Sequence, residues 1–166
     1  MPARYTLILG TKNWSSWSLR PYLALRATGT PFAEIPIRLR RPDTHDRIRE
    51  HSPSGWIPVL KIEEDGKTHT VWDSLAICET LAERHPVAKL WPDDPFVRAE
   101  ARSYACEMHS GFAALRGALS MDFARKLPLP KLDAETQKQV ARILGAWEHA
   151  LTRHGNAEFL DDVESL

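Results

Sequence analysis

Cysteine is scarce in this sequence, and its scarcity excludes several kinds of site. The 166-residue chain has only two cysteines, Cys78 and Cys106. They lie far apart and form neither a CxxC motif nor a spacing that suits a zinc site. We therefore expect two buried free thiols in a reducing cytosol, and no metal.

An excess of charge and long apolar runs are also missing. Lys+Arg and Asp+Glu both number 22, whereas nucleic acid and anionic membranes usually select for a basic excess, so neither is expected as a partner. No apolar run approaches the roughly 18 residues that span a bilayer. The first residues, MPARYTLILG, are expected to form a strand and not a signal peptide. With 43% apolar and 27% charged residues, the composition is that of a soluble globular protein, which we expect in the cytoplasm.

Hydrophobic patterning predicts a βαβ unit at the start of the chain. Apolar runs predict strands at 5–10 and 32–39, with a helix at 19–28 between them. Pro21 is tolerated only in the first turn of a helix, so this helix begins close to one of the serines in NWSSWSLRPY. A helical crossover makes the two strands parallel.

A hairpin and a helix follow. Strands at 57–62 and 68–72 are joined by the turn-forming segment EEDGK. The helix at 73–85 starts at an acid and a hydroxyl, and either Asp73 or Ser74 can be its N-cap. The order βαβ-ββα is the thioredoxin-like arrangement.

The pattern becomes purely helical after HPVAKLWPDDP, a stretch with three prolines. We therefore expect an α/β domain at 1–86, a linker at 87–95 and a helical domain at 96–166. Apolar residues at helical spacing predict one long helix at 96–126 and another at 133–155. The predicted fold class is α/β plus all-α.

Two segments of the first domain could carry chemistry. A helix N-terminus offers free N–H donors and about half a positive charge, and a hydroxyl there can stabilise a thiolate. Ser15, Ser16 and Ser18 are placed for this role, although simple capping also explains them. In SGWIPVL, a cis bond before Pro58 would expose the backbone of Ile57 to a peptide-like ligand. An edge-strand proline is the alternative.

The segment WDSLAI is the third candidate. An N-cap pair is its simple interpretation. In a functional interpretation, Ser74 and the helix amides bind a ligand carboxylate, and Asp73 binds the ligand's ammonium group.

In this order and spacing, the motifs resemble the glutathione S-transferase family. SSWSLRPYLAL is similar to the SSxSxR…AL motif of zeta-class enzymes, WIPVL to the cis-proline motif, and WDSLAI to the acid-Ser-x-Ala-Ile motif. LWPDDPFVRAEARSYACEMHSGF resembles the linker and first helix of the C-terminal domain in a bacterial subgroup near the zeta class. The resemblance covers residues 5–120 and continues more loosely to 154.

The resemblance implies an enzyme that uses glutathione as its co-substrate and needs no metal. It implies activation of glutathione as a thiolate, for attack on or isomerisation of a small electrophile, as in detoxification. It also implies a homodimer. A non-catalytic binding or interaction module on the same fold is the alternative. A thiol–disulfide oxidoreductase is disfavoured because NWSSWSLRPY contains no cysteine.

The resemblance also assigns the serines. Ser15 matches the zeta-class serine that hydrogen-bonds the glutathione sulfur, and Ser16 matches the serine of theta-type enzymes. Ser15 is preferred and Ser16 stays open. Trp17 replaces a cysteine of the zeta motif, which weakens a direct transfer of zeta isomerase chemistry.

Further residues are assigned to the rest of glutathione. The backbone of Ile57, beside Pro58, would pair with the cysteinyl part, and Asp73 with Ser74 would hold the γ-glutamyl part. Trp56 stands where many members have a glutamine, so one contact with glutathione is lost or replaced.

The second substrate is expected between the domains. Its pocket would be formed by Trp14, Trp17, Met108, His109 and Phe112, with His109 as a polar group or as an ordinary packed or solvent-facing residue.

Family members are usually longer than this chain. We therefore expect the helical domain to be shortened and to lack a central buried helix. Val140, Leu144 and Trp147 would then be partly exposed.

Overall fold

The computed structural model of the protein describes residues 2–155. It contains a four-stranded sheet in the order β2-β1-β3-β4. The first strand pairs in parallel with the second and antiparallel with the third, and the third and fourth form a hairpin. The strands are β1 (Arg4–Gly10), β2 (Phe32–Ile37), β3 (Val59–Glu64) and β4 (Lys67–Trp72). The predicted βαβ-ββα order is confirmed.

Six α-helices lie within the described residues. They are α1 (Ser16–Ala27), α2 (Thr44–Arg49), α3 (Ser74–Arg84), α4 (Pro95–Ser110), α5 (Ala113–Ala118) and α6 (Ala134–His154), with a 3₁₀ turn at Pro86–Ala88. None of the helices between residues 2 and 155 is long and apolar enough to cross a membrane.

The core of the sheet explains the continuous apolar run of β1. Leu7 and Leu9 point to one face, where they pack with Leu25 of α1 and with residues of α3. Ile8 points to the other face and packs with Ile48 of α2. Because successive side chains of a strand alternate between faces, a strand covered on both sides is apolar throughout.

α1 begins at Ser16, within the predicted serine segment, but the expectation that Pro21 lies in the first turn is wrong. Pro21 lies in the second turn and is buried there. Ser15 is the N-cap. At the other end Thr28 is the C-cap, and Gly29 follows with a left-handed φ of 67°.

The chain divides into two compact units, each built from two segments. Within the described residues, the first unit contains 2–109 and 121–126, and the second contains 110–120 and 127–155. The division expected from the sequence, with a linker at 87–95, stays a prediction. Residues 156–166 of the expected helical domain lie outside the described part.

The single long helix predicted for 96–126 is wrong. α4 ends at Ser110, and Phe112 takes a left-handed φ of 63° before the short α5 begins. Gly111 is a poor helix former, and Pro128 and Pro130 hold the later segment out of a helix.

α6 agrees with its predicted signals. Asp133 caps it by accepting the backbone N–H of the residue three positions on, and Gly155 follows its end. Val140 is half-buried, and Leu144 and Trp147 are 55% and 61% exposed. Their predicted partial exposure is confirmed.

Candidate active site

A cluster of serines links the end of β1 to the start of α1. The Ser15 hydroxyl accepts the Ser18 N–H at 3.3 Å and donates to Ser18 Oγ at 2.8 Å. Ser18 Oγ also accepts the N–H of Gly10 at 3.0 Å. Both serine side chains are buried, so Ser15 caps the helix and Ser18 ties it to the sheet.

The two serines proposed for the sulfur have different environments. Ser15 is buried and its hydroxyl is engaged with Ser18, whereas Ser16, the first helical residue, is partly exposed. Because a hydroxyl hydrogen rotates, the Ser15–Ser18 bond can reverse, with Ser18 as donor, and this releases the Ser15 proton for a ligand. Both serines therefore stay candidates.

Gly10 marks where the serine loop meets the segment before β3. A Cβ at Gly10 would lie 3.0 Å from Leu39 Cδ1 and from Ser15 Cβ, and 3.1 Å from Ile57 Cδ1. A side chain there requires these neighbours to shift. The bond between Ile57 and Pro58, which the sequence left open, is cis.

The start of α3 resolves which residue caps that helix. Asp73 is the N-cap: its Oδ1 accepts the N–H groups of Leu75 at 2.8 Å and Ala76 at 3.3 Å. Its φ of 75° is rare for a residue with a side chain and costs on the order of 1–3 kcal/mol, which its hydrogen bonds help to offset. Ser74 is 2% exposed, and its Oγ has no hydrogen-bond partner among residues 2–155.

These segments surround a cavity of about 430 Å³ in the first unit. Six residues of the sequence-predicted site line it, and Ser54, Trp56 and Trp72 complete the wall. The six are Trp17, Ile57, Pro58, Asp73, Ser74 and His109. Ser15 and Ser16 directly precede Trp17 in the sequence, but they do not line the cavity. The cavity thus brings together the start of α1, the cis-proline segment, the start of α3 and the end of α4.

His109 closes the cavity from α4. Its Nε2 lies 3.2 Å from Asp73 Oδ2, and its ring meets the Trp17 ring edge to face at 5.3 Å. The Arg20 guanidinium stacks over the Trp17 ring at 4.4 Å. His109 Nδ1 is buried and has no hydrogen-bond partner among the described residues. Trp17, predicted for the second-substrate pocket, therefore lines this cavity.

Two tryptophans of the wall were missed as pocket residues by sequence reasoning. Trp56 and Trp72 are 74% and 47% exposed. The loop that carries Trp56 is held by serines, since Ser52 Oγ donates to the Trp56 carbonyl at 2.6 Å and Ser54 Oγ accepts the Trp56 N–H at 3.3 Å. Their positions in the sequence could have indicated this role, because each tryptophan directly precedes a residue already proposed for ligand binding.

The other residues predicted for the second-substrate pocket do not line this cavity. Met108 lines a separate cavity of about 260 Å³ with Cys78 and other residues of the first unit. Trp14 packs under the guanidinium of Arg40 at 4.9 Å. Phe112 belongs to the second unit, so its part in a pocket stays a prediction.

The cysteines differ from each other. Cys78 is half-buried, and burial raises the pKa of its thiol to about 11, although Arg20 acts in the opposite direction. Cys106 is exposed, so the expectation of two buried thiols is wrong for it. Within the described part of the chain, no group of three or more His, Cys, Asp or Glu side chains is arranged to hold a metal.

Comparison with known proteins identifies the family of this chain. The family model described as glutathione S-transferase, N-terminal domain, matches residues 14–84. A relative named probable maleylacetoacetate isomerase, from Caenorhabditis elegans, is 31% identical over 149 residues, which are 89% of this chain and 67% of that protein. The chain belongs to the glutathione S-transferase family.

Solved structures extend the comparison. Maleylacetoacetate isomerase from Anaeromyxobacter dehalogenans 2CP-1, with glutathione bound in its active site, is 32% identical with a TM-score of 0.64 and covers 92% of this chain and 71% of that chain. Glutathione transferase Omega 2S from Trametes versicolor has a TM-score of 0.67 at 23% identity, and it covers 88% of this chain and 63% of that chain. It shares the fold. The chain spans less than two thirds of the length of several other curated relatives.

Proposed function

We propose that this protein binds glutathione and activates it as a thiolate for reaction with a small electrophile. The observation that carries the proposal is the cavity at which the cis-proline segment, the start of α3 and Trp17 of α1 converge. A relative that is 32% identical to this chain binds glutathione in its active site.

The γ-glutamyl end of glutathione fits the start of α3. Its carboxylate would meet the positive end of the helix and the Ser74 hydroxyl, whose oxygen is buried without a partner. Its ammonium group would meet Asp73 Oδ2. The cysteinyl backbone would pair with Ile57, which lies two residues before Val59, the first paired residue of β3.

Groups at the start of α1 would activate the glutathione sulfur. A free thiol has a pKa of about 8.5 and is mostly protonated at neutral pH. The positive end of the helix and a hydroxyl donor both favour the charged form, so they increase the thiolate fraction. Ser15, after reversal of its bond to Ser18, or the more accessible Ser16 supplies that hydroxyl.

The thiolate can then conjugate or isomerise its substrate. In conjugation, sulfur forms a bond to an electrophilic carbon and a leaving group departs or a proton is taken up. In isomerisation, sulfur adds to an activated double bond, the resulting single bond rotates, and elimination restores the double bond and the thiolate. The names of the relatives support the second reaction as well as the first.

The second substrate would lie against the aromatic wall. Trp17 and His109 face the cavity, and we propose Trp14, Met108 and Phe112 as further residues of its pocket. We also propose a homodimer in the cytoplasm that acts on small electrophiles, as in detoxification.

The proposed domain division follows the sequence. Residues 1–86 would form the glutathione-binding domain, 87–95 the linker and 96–166 the helical domain.

Two measurements on four proteins test the proposal. Retention on immobilised glutathione and turnover of a chlorodinitrobenzene are measured for wild type, Ser15→Ala, Ser16→Ala and the control Ser103→Ala, an exposed helical serine. The alanine variant of the serine that contacts sulfur should still bind glutathione. Its kcat/KM should fall about 10- to 100-fold, which corresponds to the loss of one hydrogen bond to a charged group. Retention without turnover would leave a non-catalytic binding module. No retention would reject both functions.

A further inference from the structure

The two carboxylate oxygens of Asp73 have different tasks. Oδ1 accepts two backbone N–H groups of α3 and is committed to the helix cap. Oδ2 faces His109 Nε2 at 3.2 Å. Oδ2 is therefore the oxygen that remains for a ligand, and His109 already occupies one side of it.

The neutral and protonated forms of His109 leave Asp73 in different states. A neutral ring with its hydrogen on Nε2 donates to Asp73 and leaves a lone pair on Nδ1. A protonated ring adds an N–H at Nδ1, where the structure provides a buried position without a partner among residues 2–155. The neutral form also leaves the negative charge of Asp73 unpaired and open to a second cation.

We infer that His109 controls selectivity for the ligand's ammonium group, because His109 and that ammonium share Asp73 Oδ2. The inference rests on the proposed function, in which Asp73 receives the γ-glutamyl ammonium of glutathione. A neutral His109 leaves the carboxylate charge for the ligand. A protonated His109 neutralises Asp73 and repels the ammonium, so binding weakens as the pH falls.

The neighbouring charges do not produce the same effect. Arg20, which stacks over Trp17 from α1, stays positive at every pH of interest. Cys78 on α3 stays neutral, because burial raises the pKa of its thiol to about 11. Histidine is the side chain that ordinarily changes charge between about pH 5 and 8.

The first test measures the pH dependence of binding without titration of the ligand thiol. The dissociation constant of S-methylglutathione is determined by calorimetry at about pH 5.5 and pH 7.5 for wild type, His109→Gln and the control His69→Gln. His69 is exposed on β4 and does not line the cavity. We expect wild type and the control to bind about fivefold more tightly at the higher pH, the upper range for a partly exposed ion pair, and His109→Gln to change by less than about twofold.

The second test uses the wild-type protein and changes the ligand. The analogue of S-methylglutathione that lacks the α-amino group has no cation to compete with His109, so its affinity should not improve between the two pH values. Equal pH dependence of binding in wild type and His109→Gln would overturn the inference. The inference would also be overturned if wild type bound this analogue with the same pH dependence as S-methylglutathione. If wild type fails to bind S-methylglutathione at the higher pH, the proposed function fails and the inference fails with it.

Discussion

Replacement of Ser18 by alanine tests the link between the sheet and the start of α1. Ser18 Oγ accepts the Gly10 N–H and the Ser15 hydroxyl, and its side chain is fully buried. The Ser18→Ala change removes both hydrogen bonds at once. The backbone N–H of Gly10, in a buried strand residue, then has no acceptor.

The expected cost follows from that unpaired group. A buried donor without a partner costs about 1–3 kcal/mol. Alanine is a slightly better helix former than serine, which offsets about 0.5 kcal/mol. The net loss in the free energy of unfolding should be about 1.5 kcal/mol. Ser15→Ala removes only the side-chain cap and leaves Ser18 on Gly10, so it should cost about 1 kcal/mol.

Urea unfolding followed by circular dichroism gives the free energies of unfolding of wild type and of the three variants Ser18→Ala, Ser15→Ala and Ser103→Ala. Ser103→Ala is the matched control, because Ser103 is an exposed helical serine and its loss should change stability by less than about 0.5 kcal/mol. If Ser18→Ala is as stable as Ser103→Ala, the buried hydrogen bond to Gly10 does not hold the helix to the sheet. A larger loss for Ser15→Ala than for Ser18→Ala would contradict the assigned roles.

Two further predictions concern the thiols and the glycine. At about pH 8, iodoacetamide should alkylate Cys106 well before Cys78, because Cys106 is exposed and burial raises the pKa of Cys78 to about 11; mass spectrometry gives the order, and equal rates would contradict it. Gly10→Ala should cost about 1–3 kcal/mol and weaken retention on glutathione, because the new Cβ displaces Ser15 or Ile57. Unchanged stability and retention would show that this contact is not tight.

Local signals account for most of the correct predictions. Pro21 limited where α1 can start, and Asp133 and Gly155 marked the ends of α6, because caps and prolines act on the backbone within a few residues. The strand patterns also sufficed for the parallel pairing of β1 with β2 and the hairpin of β3 and β4, because a helical crossover and a short turn specify them. The pairing of β1 with β3 came only from the structure.

The failures come from places where local signals were weak. The periodicity of 96–126 suggested one helix, but Gly111 and the left-handed Phe112 end α4 at Ser110. Apolar spacing reports which face of a segment is buried, and it does not report whether the segment is interrupted. Cys106 was expected to be buried because free cysteines usually are, and that tendency says nothing about one exposed helix position.

The sequence by itself determined the family motifs, the element order and the residues at the starts of α1 and α3. Only the tertiary structure decided that the bond before Pro58 is cis, that Asp73 and not Ser74 caps α3, and that His109 reaches Asp73. Caps and turns depend on neighbours in the chain, whereas His109 and Asp73 are brought together by the packing of α4, more than thirty positions away. The structure also decided that Ser15 is the N-cap of α1, with its hydroxyl paired to that of Ser18.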